Sequence, residues 1–259
     1  MSVMLVDISD GIAIITLNRP QARNALNPEL AAAFGQAIID CDTRDDVLAM
    51  VLTGADPAFC AGFDLRELAT RERGSAPNPP PPYRAAIPPH RKPVIGAING
   101  AAVTGGFEIA LACDFLIASE RARFADTHAR VGLLPGWGLT VMLPQAIGIR
   151  RAKHLSLSGA FLDAPTALAW GLVNEVVPHD QLLARARELG LQIAANPPAA
   201  VQAVLALYDE VAELPNTEAW TLESERARDW IAQRFDRHDL AQRRDSIIET
   251  GRTLAGTDT

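Results

Sequence analysis

The chain has 259 residues, 48% of them hydrophobic and 21% charged, enough for one large globular domain or a domain with an appendage. Its formal net charge of −7 argues against a general nucleic-acid binder, and no apolar run reaches the ~20 residues of a membrane span. The opening residues, MSVMLVDISD, lack the basic and apolar regions of a secretory signal. Cys41, Cys60 and Cys113 have neither metal nor redox spacing, so buried free thiols in a reducing cytoplasm are expected, with no metal site.

Residues 4–8 and 12–17 read as two strands joined by a turn at Asp10-Gly11. Asn27 and Pro28 have the chemistry of an N-cap and first helical position, and a helix is expected over 29–41. It carries Leu30, Phe34, Ala37, Ile38 and Cys41 on one face. Residues 47–52 read as a strand, 54–62 as a loop and 64–69 as a short helix. The segment 74–89, GSAPNPPPPYRAAIPP, cannot continue a helix or a ladder, so it is expected to be an extended surface loop acting as a lid.

Residues 93–98 form an apolar run of strand length, 99–106 a small-residue turn, and 107–113 a segment with helical spacing. Strands follow at 115–118 and 122–125, a turn-rich loop at 131–138, and helices at 139–147, 150–157 and 164–170. A late strand spans 172–177, and helices are expected at 181–195, 198–212, 217–234 and 239–252. Strands and helices alternate through two-thirds of the chain and helices alone finish it. The pattern is α/β with a helical C-terminal region, divided at 1–200 and 201–259.

The glycine turn GAAVTGGF at 100–107 lacks the Lys-Ser/Thr of a phosphate loop, and no G-x-G-x-x-G, G-x-S-x-G or H-E-x-x-H occurs. What remains for a bare glycine turn entering a helix is binding of an anion or oxyanion by backbone N–H groups. Glu108 lies one turn inside that helix, where a carboxylate can move a proton. A second small-residue turn, AFCAGFDL at 58–65, offers further N–H groups.

These two stretches, with LNRPQARNALN at 17–27, ARFADTHARVGLLPGWG at 122–138 and AWGLVNEVV at 169–177, resemble the enoyl-CoA hydratase/isomerase (crotonase) superfamily. The resemblance covers residues 3–204. It implies a spiral of repeated ββα units, a helical C-terminal trimerisation region and a homotrimer or hexamer. It also implies an acyl-CoA substrate and no cofactor beyond the coenzyme A of that substrate. By position, Ala61 and Gly105 would supply the oxyanion hole for the thioester carbonyl. Gly62, Phe63, Asp64 and Gly106 would line the acyl end, with Trp137 facing it, and Arg23 and Ala25 would lie along the coenzyme A.

Hydratases of this family grip one water with two glutamates. The first matches Glu108; the second position, four residues after Phe124, holds His128. An imidazole there is a general acid or base of a different kind. Gly136 occupies the place of the aspartate carried by the dehalogenase branch, and Asp126 reads as structural, with orientation of a nearby group as the alternative. His90, His154, His179 and His238 read as surface residues. The expected activity is reversible hydration of a trans-2-enoyl-CoA, catalysed by Glu108 and His128. The alternatives are another crotonase reaction (isomerase, thioester hydrolase or decarboxylase) and a catalytically silent acyl-CoA binding protein.

Overall fold

The computed structural model describes residues 2–64, 66–67, 86–212 and 214–234, with single positions at 238, 240, 242, 244 and 248. The chain divides into two compact units, Met1–Leu205 and Ala206–Thr259. Ten strands are described: β1 Met4–Ser9, β2 Ile12–Leu17, β3 Ala49–Gly54, β4 Ala58–Cys60, β5 Val94–Ile98, β6 Ala101–Val103, β7 Phe115–Ser119, β8 Arg123–Ala125, β9 Leu162–Asp163 and β10 Glu175–Val177. Six form one sheet, in the order β1-β2-β3-β5-β7-β10, and four form a smaller one, β4-β6-β8-β9.

The β1–β2 hairpin is antiparallel and closes with Ser9 opposite Ile12, leaving Asp10 and Gly11 as a two-residue loop. Both loop residues have positive φ, 51° and 80°, the conformation that an Asp-Gly pair accepts at low cost. From β2 onward the large sheet is parallel. The central strands β3 and β5 are buried at every position because both faces are covered. Met50 and Leu52 enter the main core, while Ala49 and Val51 meet Leu182 and Ala186 of the helix Leu182–Ala194.

The helix Pro28–Thr43 begins at Asn27, whose side chain accepts from the Leu30 N–H at 2.9 Å. It buries Leu30, Phe34, Ala37, Ile38 and Cys41, the expected face. Its C-terminal end is tied to the entry of β5. Asp42 accepts from the backbone N–H groups of Arg91 and Lys92, at 2.8 and 3.0 Å, and the buried Lys92 ammonium donates to the Cys41 carbonyl at 3.0 Å.

The small sheet departs from the expected pattern. Residues 54–62 contain β4 and residues 99–106 contain β6, each a three-residue strand of small or apolar side chains. Such short strands have no periodicity to read. The sheet brings the helix Gly105–Leu111 close behind β4. A Cβ on Gly106 would lie 2.1 Å from the Cys60 carbonyl oxygen, so only glycine fits.

The helix expected at 64–69 is described only at Arg66 and Glu67, and residues 74–85 of the proline-rich segment lie outside the described residues. At that segment's end, Ala86 and Ile87 are buried in the main core rather than lying on the surface. Two histidines expected at the surface are engaged instead. His90 reaches Asp114 at 3.5 Å, and His179 lies between Asp56 and Ser119, at 3.0 Å from each. In the second unit, the helix Asn216–Gln233 is linked through Arg226 to Glu210 at 3.0 Å. The helix expected over 239–252 is described only at scattered positions.

The close approach at Gly106 sets a stability prediction. Gly106→Ala must displace backbone, costing on the order of 3 kcal/mol and lowering the melting midpoint by roughly 6–12 °C. Thermal unfolding followed by circular dichroism measures it, and an unchanged midpoint would show that the helix shifts freely.

Candidate active site

Strands β4, β6 and β8 are adjacent and mutually parallel. Their C-terminal ends therefore open at one edge, where ligands bind in open α/β sheets. The loop after β4 carries residues 61–64, the loop after β6 leads to Gly105, and the loop after β8 carries Asp126 and His128. Thr104 joins two of these loops in a strained conformation, with φ 54° and ψ −111°. Its N–H donates to the Ala125 carbonyl at 2.8 Å, its Oγ1 accepts from the Thr127 N–H at 3.2 Å, and the two threonine hydroxyls lie 2.5 Å apart.

Glu108 and His128 come together here, both buried. Glu108 Oε1 accepts from the Trp137 N–H at 2.7 Å, and its Oε2 lies 3.8 Å from His128 Nε2. On the other side of the ring, His128 Nδ1 lies 2.7 Å from Asp126 Oδ1. Burial pushes the Glu108 carboxyl above its ordinary range, opposed by the N–H of Trp137, by His128 and by the N–H groups of Leu139 and Gly136. Burial acts on Asp126 in the same direction, but hydrogen bonds from His128 and Ser156 outweigh it and hold that carboxyl below its ordinary range. Among the described residues, no buried side-chain nitrogen or oxygen lacks a hydrogen-bond partner. Among the described residues, His128 Nε2 takes no hydrogen bond at ordinary distance, and it points toward Glu108 Oε2.

The two small-residue turns meet as expected, with one correction. The Ala61 N–H does not face the opening: it donates to the Arg23 carbonyl at 3.1 Å. Gly62 has φ 85°, and this left-handed kink breaks the alternation of the chain. Leu26 then receives the next residues, donating to the Gly62 carbonyl at 2.7 Å and accepting from the Asp64 N–H at 3.0 Å. Phe63, bridged to Leu26 between them, turns its own N–H the other way, and no acceptor takes it among the described residues. The Gly105 N–H is also untaken there. A Cβ on Gly62 would lie 3.4 Å from the Gly105 nitrogen, and one on Gly105 would lie 3.4 Å from the Phe63 ring, so the two segments are in contact. The Phe63 and Trp137 rings pack at 5.0 Å between centroids.

The other expected residues have defined places. Arg23 is exposed, with its backbone at φ 51°, and Ala25 is buried. Asp64 is occupied on both oxygens, by the Arg19 guanidinium at 3.3 Å and the Arg66 N–H at 3.2 Å. Asn24 carried no signal beyond its place in LNRPQARNALN. It is fully buried at φ 57°, accepts from the Arg19 N–H at 2.8 Å, and donates to the carbonyls of Ala55 and Ala58 at 2.8 and 2.7 Å. It fixes the loop whose Arg23 carbonyl holds Ala61.

The family model for enoyl-CoA hydratase/isomerase matches residues 7–243. The chain belongs to this family. It is 40% identical over 219 residues to the probable peroxisomal enoyl-CoA hydratase 1 of Arabidopsis thaliana, covering 85% of this chain and 83% of that one. Among solved structures, an enoyl-CoA hydratase from Mycobacterium smegmatis is 50% identical, with a TM-score of 0.75 and coverage of 90% and 99%. One from Bacillus anthracis is 32% identical, with a TM-score of 0.87 and coverage of 94% and 96%. The mixed α/β architecture of this family member is that of its structural neighbours, and its function is enoyl-CoA hydratase-like.

In such a site the buried carboxylate works against stability. The folded Glu108 value lies above the unfolded 4.5, so the folded state loses stability as pH rises from there through the raised value. Glu108→Gln removes the charge and keeps the acceptor for Trp137. Its melting midpoint should exceed that of the parent at pH 7, with the advantage vanishing below about pH 4.5. Melting curves across this range check the sign.

Proposed function

We propose that the protein reversibly hydrates the double bond of a trans-2-enoyl-CoA, with the N–H groups of Phe63 and Gly105 polarising the thioester carbonyl. The observation that carries the reading is the 3.8 Å separation of Glu108 Oε2 and His128 Nε2 beside those two untaken donors. Atoms at that distance can both contact one water at about 2.8 Å. Ionised Glu108 takes a proton from the water as its oxygen attacks the β-carbon. Electrons move through the conjugated system onto the thioester oxygen, where the two N–H groups stabilise the enolate. Protonated His128 then delivers its proton to the α-carbon as the carbonyl reforms. The pair ends with the proton on Glu108, and its return to His128 resets the site. Each step reverses for dehydration.

Phe63 and Trp137 supply apolar surface for the acyl chain near Gly62 and Gly106, and exposed Arg23 beside Ala25 fits the phosphates of coenzyme A. The cycle needs no metal or further cofactor. Among the described residues, no helix is long and apolar enough to cross a membrane. The three buried free thiols fit a reducing compartment, which we read as the cytoplasm; the Arabidopsis relative is named as peroxisomal.

Glu108→Gln should lower crotonyl-CoA hydration roughly 10³-fold while leaving binding of the thioester within a few-fold. Unchanged turnover would remove Glu108 from the mechanism. Parallel assays with a 3-enoyl-CoA and a malonyl thioester separate hydration from isomerisation and decarboxylation.

We also assign the helical C-terminal region to assembly as a homotrimer or a dimer of trimers, supported by the exposed Trp220 and Ile231 on the helix Asn216–Gln233. Light scattering should give a mass of three or six chains; a monomer would refute the assignment.

A further inference from the structure

Asp126 has more contacts than a turn requires. Its Oδ1 accepts from the His128 backbone N–H at 3.0 Å, a bond that an asparagine or serine makes equally well. The same oxygen lies 2.7 Å from His128 Nδ1. The side chain is buried, where a charge persists only with strong partners. A carboxylate accepts and does not donate, so the proton between the two groups belongs to Nδ1. That leaves Nε2 as the working nitrogen, and Nε2 faces Glu108 Oε2 at 3.8 Å.

We propose that Asp126 is a positioning residue that fixes the ring orientation and tautomer of His128, so that an aspartate–imidazole unit does the work of a second catalytic carboxylate. The proposal rests on the hydration reading for its kinetic consequence and on the geometry alone for the tautomer. It explains how an imidazole serves at this place. A carboxylate at position 128 would stand against Asp126 on one side and Glu108 on the other, three acidic groups in one buried cluster. A histidine between two carboxylates relieves that repulsion, and Asp126 and His128 are therefore one unit.

The test uses four full-length proteins: the unsubstituted enzyme, Asp126→Asn, His128→Glu, and the double variant. Asp126→Asn should lower kcat for crotonyl-CoA roughly 10²-fold with little change in KM, because substrate contacts are untouched. His128→Glu should be nearly inactive. The double variant, with Asp126 neutralised, should recover at least about tenfold over His128→Glu. A scaffolding role would lower stability without that recovery. Asp126→Asn with full kcat, or a double variant no better than His128→Glu, overturns the proposal.

A second measurement does not depend on the reaction. In histidine labelled with ¹⁵N, the unsubstituted enzyme should show a far-downfield Nδ1–H proton for His128, and Asp126→Asn should move it upfield. Absence of that signal also overturns the proposal. If the unsubstituted enzyme hydrates no crotonyl-CoA, the hydratase reading fails by itself and the Nδ1–H signal decides the role of Asp126.

Discussion

Glu108 is an ionisable group in the first turn of a seven-residue helix, buried where water cannot stabilise its charge. An isolated carboxylate in such a place costs several kcal/mol. The surrounding structure answers with the Trp137 N–H on one oxygen and the His128 imidazole near the other. It also aims the start of the helix Leu139–Ile147 at the same carboxylate, where the dipole favours negative charge. The opposition is incomplete, and the carboxyl remains easier to protonate than an exposed one. A carboxylate with raised proton affinity is the stronger base toward a water.

The small sheet makes this arrangement possible. Three parallel strands end side by side, so groups distant in sequence are delivered to one edge: Phe63, Gly105 and His128. Close contact between layers then sets the scale. Gly106 lets the helix carrying Glu108 sit against Cys60, and the Thr104–Thr127 pair joins the turn before that helix to the loop of His128. Proton-transfer groups held by packed backbone keep their separation without waiting for a loop to settle.

Most of the large sheet was legible in the sequence because β2, β3 and β5 are largely apolar runs of five or six residues with turn formers at their ends, although β3 begins two residues late and β10 occupies only the last three residues of the expected 172–177. The helices Leu139–Ile147 and Ala164–Trp170 matched their expected limits. Strands β4, β6 and β9 were not legible: two or three residues cannot show a period. The meeting of Glu108 with His128 followed from motifs, but the Asp126 contact needed a view of the ring. The oxyanion donor is the instructive failure. Which way an N–H points is a backbone property, and the kink at Gly62 reorders it over three residues. Neither the residue type at 61 nor that at 63 carries that information.

The bond from the Ala61 N–H to Arg23, and the pair of bonds that bracket Leu26, fasten residues 23–26 to residues 61–64 as one ribbon. Asn24 locks the same ribbon from beneath. Main-chain atoms, the Asn24 amide and the Arg19 guanidinium, which reaches the Ala25 carbonyl and Asp64, make these connections, while the Arg23 side chain is exposed. The frame is thus indifferent to what that side chain is. A substitution at this position changes the exposed surface while leaving the hydrogen-bonded frame in place. Variability and rigidity are separated within a handful of residues.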